Sequence, residues 1–300
     1  MSKTTNGYFI INCYSMGDSN LFLNLKGKLY DLRTPIVMGV VNITPDSFFA
    51  LSRFKSDLAL LQKIENFLSE GASIIDIGGC STRPQADPIS IDEEIRRIAD
   101  TLEIVCKKFP EAVISVDTYR SPVARMAVQQ YDVAMINDIS GGSIDPQMFE
   151  AVAALKVAYV LMHMRGTPKD MQEHTDYQDM VSEIIQYLSK KVAQLRLFGV
   201  HDVVIDPGFG FSKTLEQNYE LMSKLNYFQM IDAPLMVGVS RKSMIYKLLK
   251  TTPEHALTGT IAMNMLALMG GASILRVHDV KEAMETIQIF KAYKAGVNDK

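Results

Sequence analysis

The sequence has no tryptophan, and it has only three cysteines among its 300 residues. Cys13, Cys80 and Cys106 lie far apart, and their spacing matches no metal-binding motif. An odd number of cysteines does not suit a disulfide framework. A zinc module and a disulfide-stabilised secreted domain are therefore not expected. We expect reduced thiols and a cytoplasmic protein.

An excess of charge of one sign and long apolar runs are also absent. The formal net charge is -3, so no basic excess suggests a nucleic-acid partner. The first seven residues lack the basic-then-apolar pattern of a signal peptide. The most apolar stretch, 261–275, is interrupted by Asn264 and by Gly270-Gly271, and it is too short to cross a bilayer. We expect no membrane partner.

Short β-branched apolar runs alternate along the chain with longer amphipathic stretches. Nearly continuous apolar runs are typical of parallel strands that are buried on both faces. Alternation of such runs with helices is the pattern of a parallel sheet with helical connections. The predicted strands span 36–41, 73–77, 112–116, 133–136, 157–162, 202–205, 235–239 and 273–277.

Helical periodicity fills many of the intervals between these runs. Residues 56–70, for example, have apolar side chains spaced three and four apart. Further helices are predicted at 91–108, 177–198, 244–249, 253–269 and 280–294. Successive strand–helix units predict one domain over residues 1–300, a (β/α)₈ TIM barrel. An open doubly wound sheet is the alternative, but its Gly-x-Gly-x-x-Gly loop is missing.

Two apolar segments precede the first barrel strand. Residues 8–13 and 21–25, together with a turn at Gly27-Lys28, predict a short N-terminal β-hairpin. We expect this hairpin to close the bottom of the barrel.

Polar side chains recur where the predicted strands end. In a barrel enzyme the loops at these ends build the active site. The residues concerned are Asn42, Asp117, Asn137, Asp138, His163, Asp206, Ser240, Arg241, Lys242, Arg276 and His278. One such residue could be a helix cap, and we favour capping for Asp138 and Asp279. The recurrence at most strand ends indicates a shared polar pocket. His163 is left open between a core residue and a pocket residue.

The chemistry of these residues falls into two groups. Arg276 and His278 alternate on one strand, so they point the same way. Together with Asn42 and the Ser81-Thr82-Arg83 loop they predict a site for a phosphorylated group, with or without a metal. Donors and acceptors for a flat, heteroatom-rich ring come from Asp117, Asn137, Asp206 and Lys242.

At these residues the chain resembles the dihydropteroate synthases, a family of pterin-binding (β/α)₈ barrels. The resemblance runs from about residue 35 to about residue 290. Its ordered motifs are Asn42-Ile43-Thr44-Pro45-Asp46-Ser47-Phe48, Ser81-Thr82-Arg83-Pro84, Ser115-Val116-Asp117-Thr118, Ile136-Asn137-Asp138, Met162-His163-Met164, Asp206-Pro207-Gly208-Phe209-Gly210-Phe211, Ser240-Arg241-Lys242-Ser243 and Arg276-Val277-His278-Asp279. The resemblance implies a step of folate synthesis. In this step p-aminobenzoate displaces pyrophosphate from 6-hydroxymethyl-7,8-dihydropterin diphosphate.

The resemblance also implies a role for each matching residue. The catalytic set is Asp117, Asp206 and Lys242. The pterin would contact Asp117, Asn137, Met162, Asp206 and Lys242. The diphosphate would contact Asn42, Thr82, Arg276 and His278, with Asn42 also binding Mg²⁺. The p-aminobenzoate would contact Phe48, Thr82, Arg83, Pro84, Phe211 and Ser243. A homodimer and a sulfonamide target are implied as well.

A departing pyrophosphate builds negative charge, which Mg²⁺, Arg276 and a protonated His278 would stabilise. Three other functions stay open. A methyltetrahydrofolate-dependent methyltransferase shares the barrel and the pterin-binding carboxylates, but it does not need the Ser-Thr-Arg-Pro loop or the Arg276 and His278 pair. A Schiff-base aldolase would use Lys242 as its nucleophile. A non-catalytic pterin-binding protein would bind the pterin without releasing pyrophosphate.

Overall fold

The computed structural model describes residues 21–43, 50–80 and 89–298. The expected hairpin is present, with β1 (Phe22–Leu25) antiparallel to β2 (Lys28–Asp31). Its two-residue turn has positive φ at Lys26 and Gly27, the conformation that matches the twist of paired strands. The sequence analysis gave β1 a partner at 8–13, which lies outside the described residues. The partner observed is the segment directly after the turn.

The predicted barrel is confirmed. Its strands are β3 (Ile36–Asn42), β4 (Ile74–Gly78), β5 (Ile114–Asp117), β6 (Met135–Asp138), β7 (Ala158–Met162), β8 (Val203–Asp206), β9 (Met236–Val237) and β10 (Ile274–Val277). They pair in the order β8-β7-β6-β5-β4-β3-β10-β9, and every pair is parallel. A bridge from Ile205 to Leu235 joins the two outer strands, so the sheet closes and the open-sheet alternative is wrong.

Helices surround the barrel. They are α1 (Ala50–Ser69), α2 (Ile91–Lys108), α3 (Ser121–Tyr131), α4 (Met148–Leu155), α5 (Met180–Leu197), α6 (Leu215–Ser223), α7 (Ser243–Leu248), α8 (Leu257–Met269) and α9 (Val280–Asn298). Three short helices, α3, α4 and α6, are not predicted from the sequence, and they have 11, 8 and 9 residues. So few turns give a weak periodic signal. In the described part of the chain, no helix is long and apolar enough to span a membrane.

Side chains inside the lower half of the barrel form an apolar plug. Met38, Ile74, Met135, Val204 and Ile274 are fully or almost fully buried there, together with Leu23 and Leu25 of the hairpin. The hairpin therefore closes the bottom of the barrel, as expected. The outward-facing strand residues pack against the helices in a separate, larger core.

Candidate active site

The pocket begins where the plug ends. Successive side chains on one face of a strand are two residues apart. Two positions beyond each of several plug residues, the inward side chain is polar. The pairs are Ile74 and Asp76, Met135 and Asn137, Val204 and Asp206, and Ile274 and Arg276. Strand periodicity therefore delivers these polar groups to one level at the carboxyl end of the barrel.

Arg276 ties three strands together at this level. Its Nε donates to Asp76 Oδ2 at 2.8 Å, and its Nη2 donates to Asp117 Oδ2 at 2.8 Å. Asn137 Nδ2 donates to the same Asp76 oxygen at 2.9 Å. Burial raises the pKa of Asp117 to about 7, and Arg276 acts in the opposite direction. Burial would lower the pKa of Arg276, but the two carboxylates outweigh it and raise this pKa.

Lys242 and Asp206 form the opposite side of the pocket. Lys242 Nζ donates to the Phe209 carbonyl at 2.6 Å and lies 4.8 Å from the centroid of the Phe211 ring. Asp206 Oδ1 accepts the Gly208 N–H at 2.7 Å. Burial lowers the pKa of Lys242 to about 8, and Asp206 opposes this change. Burial raises the pKa of Asp206, and Lys242 opposes that change.

Asn42 lies at the end of β3, at the pocket mouth. A Cβ atom placed on Gly78 would lie 3.5 Å from Asn42 Oδ1 and 3.5 Å from Asp117 Cβ. Asn42 Oδ1 and Asp117 Cβ therefore both border the space that a side chain at Gly78 would fill.

His278 follows β10 and packs beside Ser240. The His278 N–H and its ring Nδ1 are each 3.2 Å from Ser240 Oγ. Burial lowers the pKa of His278 to about 4, and the cations Arg276 and Lys63 act in the same direction. The ring is therefore neutral at neutral pH in the ligand-free protein. The protonated His278 expected from the sequence belongs to the diphosphate-bound state and stays a prediction, since in the ligand-free protein burial and the two cations oppose protonation.

The family follows from a comparison with known proteins. The model of the family described as "Pterin binding enzyme" matches residues 38–278. The chain belongs to the pterin-binding enzyme family. It is 40% identical over 269 residues to the dihydropteroate synthase of Escherichia coli, covering 89% of this chain and 94% of that one.

Solved structures of this family agree with the fold. A Yersinia pestis dihydropteroate synthase with a sulfonamide drug has a TM-score of 0.84 and 37% identity, covering 91% of this chain and 99% of that one. A Xanthomonas albilineans dihydropteroate synthase with 4-aminobenzoic acid has a TM-score of 0.83 and 34% identity, covering 92% and 99%.

Most of the residues expected from the family resemblance lie around this pocket. Met162, the last residue of β7, packs with Phe211 in a small apolar cluster, and Ser243 is the first residue of α7. The described members of the predicted set are Asn42, Asp117, Asn137, Met162, Asp206, Phe211, Lys242, Ser243, Arg276 and His278. The remaining members, Phe48, Thr82, Arg83 and Pro84, lie outside the described residues.

His163, Asp138 and Asp279 are three further polar residues of the family motifs. His163 is a buried histidine whose ring packs edge-on against Tyr187 at 5.0 Å between centroids. Asp138 accepts the N–H groups of Ser140 and Gly142, so it caps a turn. Asp279 directly precedes α9, and both of its carboxylate oxygens accept bonds from Arg241.

Sequence reasoning missed Asp76 and Lys213. Asp76 stands inside the apolar run of β4 and is fully buried, so a carboxylate within a buried strand was the available signal. Lys213 precedes α6, where a lysine usually faces solvent, yet it is 3% exposed. No pattern in the sequence distinguishes Lys213 from a surface residue.

Gly208 carries the tightest backbone approach in this site. It has φ +74, and a Cβ atom would lie 2.0 Å from the His163 carbonyl oxygen. Gly199 has φ +81 but nothing within 4 Å of its added Cβ, so it is a matched control. We expect Gly199→Ala to lower the free energy of unfolding by about 1 kcal/mol. We expect Gly208→Ala to lower it by about 3 kcal/mol or more, since the clash adds to the backbone strain. Urea unfolding measures both, and equal losses would contradict the clash.

Proposed function

We infer that the chain has dihydropteroate synthase activity, as a transferase of folate synthesis. The observation that carries this inference is the ring of donors and acceptors at the barrel mouth, formed by the buried Asp117, Asn137 and Asp206 and the half-buried Lys242. The curated relatives and solved neighbours with this activity match nearly the whole chain. A polar ring above an apolar plug suits a flat, heteroatom-rich heterocycle, which a pterin is.

In this proposal the pterin lies between the pair of Asp117 with Arg276 and the pair of Asp206 with Lys242. The carboxylates of Asp117 and Asp206 accept ring N–H groups, while Lys242 and Asn137 donate to ring acceptors. Met162 packs against the ring face. The Asp206 Oδ1 atom already accepts the Gly208 N–H, so Oδ2 is the oxygen that turns to the pterin.

The diphosphate binds at the mouth, above the pterin. Asn42, Arg276 and His278 contact it, together with Thr82. Arg276 also has a second function, since its bonds to Asp76 and Asp117 order the floor of the pterin subsite. The Arg276 guanidinium thus contacts the leaving diphosphate and also orders the subsite that holds the pterin ring.

The donors at the mouth fit Mg²⁺ held mainly by the substrate. The described residues contain no cluster of three His, Cys, Asp or Glu side chains able to hold a metal by themselves. Mg²⁺ keeps several waters and commonly takes the rest of its oxygens from one or two side chains and substrate phosphates. Asn42 Oδ1 would supply the protein oxygen. Bound Mg²⁺ would neutralise charge that builds on the leaving pyrophosphate.

The p-aminobenzoate lies beside Phe211 in this proposal. Phe211 and Ser243, with Phe48, Thr82, Arg83 and Pro84, form its subsite. A Xanthomonas relative is solved with 4-aminobenzoic acid and a Yersinia relative with a sulfonamide, and we propose that this chain binds p-aminobenzoate and that sulfonamides compete with it.

In the reaction the amine nitrogen forms a bond to the pterin methylene carbon. The bond from that carbon to the diphosphate oxygen breaks, and pyrophosphate leaves. The newly bonded amine nitrogen then loses one proton to solvent and becomes a neutral secondary amine. An aromatic amine is nucleophilic as a neutral molecule, so the site needs no strong general base. The residues act by positioning and by electrostatic stabilisation.

Pyrophosphate release by the purified protein tests this function. Release should require dihydropterin diphosphate, p-aminobenzoate and Mg²⁺ together. Pterin binding without release would indicate the silent pterin binder. Methyl transfer from methyltetrahydrofolate would indicate the methyltransferase, and borohydride trapping of a carbonyl substrate on Lys242 would indicate the aldolase.

His278 should take up a proton when diphosphate binds. Its pKa of about 4 reflects burial and two nearby cations, and a bound diphosphate opposes these cations. We expect Mg²⁺–pyrophosphate binding near neutral pH to take up as much as about one extra proton in the wild type relative to His278→Gln. Calorimetry in buffers of different ionisation enthalpy measures this uptake. His201→Gln, at an exposed histidine, is the control, and equal uptake by all three proteins would exclude the effect.

We also propose that the protein is a homodimer and that it is cytoplasmic. Apolar side chains are exposed along the outer faces of α8 and α9: Leu266, Met269, Ile289, Tyr293 and Val297. Exposed apolar patches of this kind commonly mark protein interfaces. Ile289→Asp should shift sedimentation toward the monomer, whereas Leu197→Asp, at an exposed leucine of α5, should not.

A further inference from the structure

Lys213 is a buried lysine without a role in the proposed reaction. Its side chain is 3% exposed, and fully buried lysines are rare unless their ammonium groups are paired. Lys213 Nζ donates to the carbonyls of Gly208 and Phe211, both at 2.9 Å, and lies 3.4 Å from His163 Nδ1. The two carbonyl oxygens accept hydrogen bonds from this group, and His163 Nδ1 is a further acceptor in the tautomer that is protonated on Nε2.

The acceptors belong to the loop that carries two proposed substrate contacts. This loop, residues 206–213, leaves β8 at Asp206 and bends back around the Lys213 ammonium. The peptide units at either end of Gly208 are held, because its N–H bonds to Asp206 Oδ1 and its carbonyl bonds to Lys213. The Phe211 carbonyl bonds to the same ammonium. Lys213 therefore restrains the backbone that carries both the Asp206 carboxylate and the Phe211 side chain.

The 206–213 loop is also joined to the segment after β7. Ser212 Oγ donates to the Arg165 carbonyl at 2.8 Å and accepts the Arg165 N–H at 2.9 Å. The Tyr177 hydroxyl donates to the Ser212 carbonyl at 3.0 Å. These bonds hold the outside of the loop, while Lys213 holds its inside. Loss of the Lys213 side-chain nitrogen would leave the Phe211 carbonyl unpaired, and the Gly208 carbonyl would keep only the Phe211 N–H at 3.1 Å.

We propose that Lys213 is a positioning residue that keeps the two substrate subsites in register. Its buried Nζ is the internal hydrogen-bond donor around which the 206–213 loop closes, so Asp206 at the pterin subsite and Phe211 at the p-aminobenzoate subsite hold a constant separation. This inference rests on the subsites proposed above. Displacements of about 1 Å can cost on the order of a hundredfold in rate, so a loop held at one point has a large effect.

The test compares Lys213→Met with Lys191→Met. Lys191 is half-buried and donates to the Gly141 carbonyl at 2.5 Å, and neither residue is among the proposed substrate contacts, so Lys191 is a matched lysine–carbonyl control. Steady-state pyrophosphate release gives kcat and the KM of each substrate, and thermal unfolding gives Tm. For Lys213→Met we expect both KM values to rise by about tenfold or more and kcat to fall. Phe211→Leu should raise only the p-aminobenzoate KM. Lys191→Met should change Tm alone.

Two outcomes would overturn the proposal. One is a folded Lys213→Met protein whose KM values and kcat lie within about twofold of the wild type. The other is a loss confined to one substrate. If Lys213→Met does not fold, Lys213→Gln replaces it, since an amide keeps two donors. Smaller rises in both KM values are then expected, and wild-type values would refute the proposal. Failure of the wild type to release pyrophosphate would instead refute the proposed function.

Discussion

Lys242→Ala is expected to lower kcat/KM for pyrophosphate release by about two to three orders of magnitude. Lys242 is the one ammonium among the four groups proposed to hold the ring, and it lies in a desolvated pocket, where burial lowers its pKa to about 8. A charged hydrogen bond to substrate in such a site contributes more than it would in water. The loss should appear mainly in the KM for the pterin substrate if Lys242 binds the ring equally throughout the reaction. It should appear in kcat if the contact strengthens in the transition state.

The control for this prediction lies on α7, the helix that Lys242 directly precedes. Lys247 is exposed on α7, and Lys247→Ala should leave kcat/KM within about twofold of the wild type. Lys242→Ala also leaves Asp206 without its nearest opposing charge, so the pKa of that carboxyl should rise further. A Lys242→Ala protein with more than about a tenth of wild-type activity would remove Lys242 from the catalytic set.

Arg276→Met is expected to have the largest effect on stability. The substitution leaves the buried carboxylates Asp76 and Asp117 without their shared cation, and breaking a buried ion pair in this way costs about 3–5 kcal/mol. Urea unfolding measures the loss. Arg33→Met, which breaks a pair with Asp31 at the exposed surface, is the control and should leave the urea midpoint nearly unchanged.

The effect of Arg276→Met should depend on pH in a definite direction. Burial already raises the pKa of Asp117 to about 7 with Arg276 present, and removing the cation raises it further. The unfolded carboxyl has its ordinary, lower pKa, so between the two values the folded variant binds the extra proton. The destabilisation is therefore largest at alkaline pH and shrinks as the pH falls. Adding Asp76→Asn to Arg276→Met should recover part of the loss, and no recovery would contradict a stranded carboxylate.

The barrel could be predicted because its strands are buried on both faces. Each of the predicted apolar runs overlaps a strand of the structure, although β3, β4, β5, β6 and β8 end one or two residues later than predicted. The sheet closes through Leu235 and Ile205. The pocket could be predicted for a related reason. Asp206 and Asn137 are the last inward-facing side chains of their strands. The inward-facing side chains of parallel strands end at the same level of the barrel.

The partners of these residues could not be predicted. Arg276 and Asp76 are 200 residues apart, and their contact exists only because β10 and β4 both border β3 in the closed barrel. The neutral state of His278 has the same origin, because Lys63 approaches it from α1. Sequence patterns give the position of a side chain along its strand. They do not give the charges that other strands and helices bring beside it.

The inward-facing side chains of these strands are apolar in the plug and polar at the pocket. This order affects how the strands align when the barrel assembles. A slip of one residue in β4 or β10 would turn Asp76 or Arg276 outward, against the aliphatic faces of the helices. Each group would then be buried without its partner, at a cost of several kcal/mol. The groups proposed to bind substrate therefore also discriminate against misaligned strand pairings. Neutralising both Asp76 and Arg276 would weaken that discrimination during folding, even where the final structure tolerates the change.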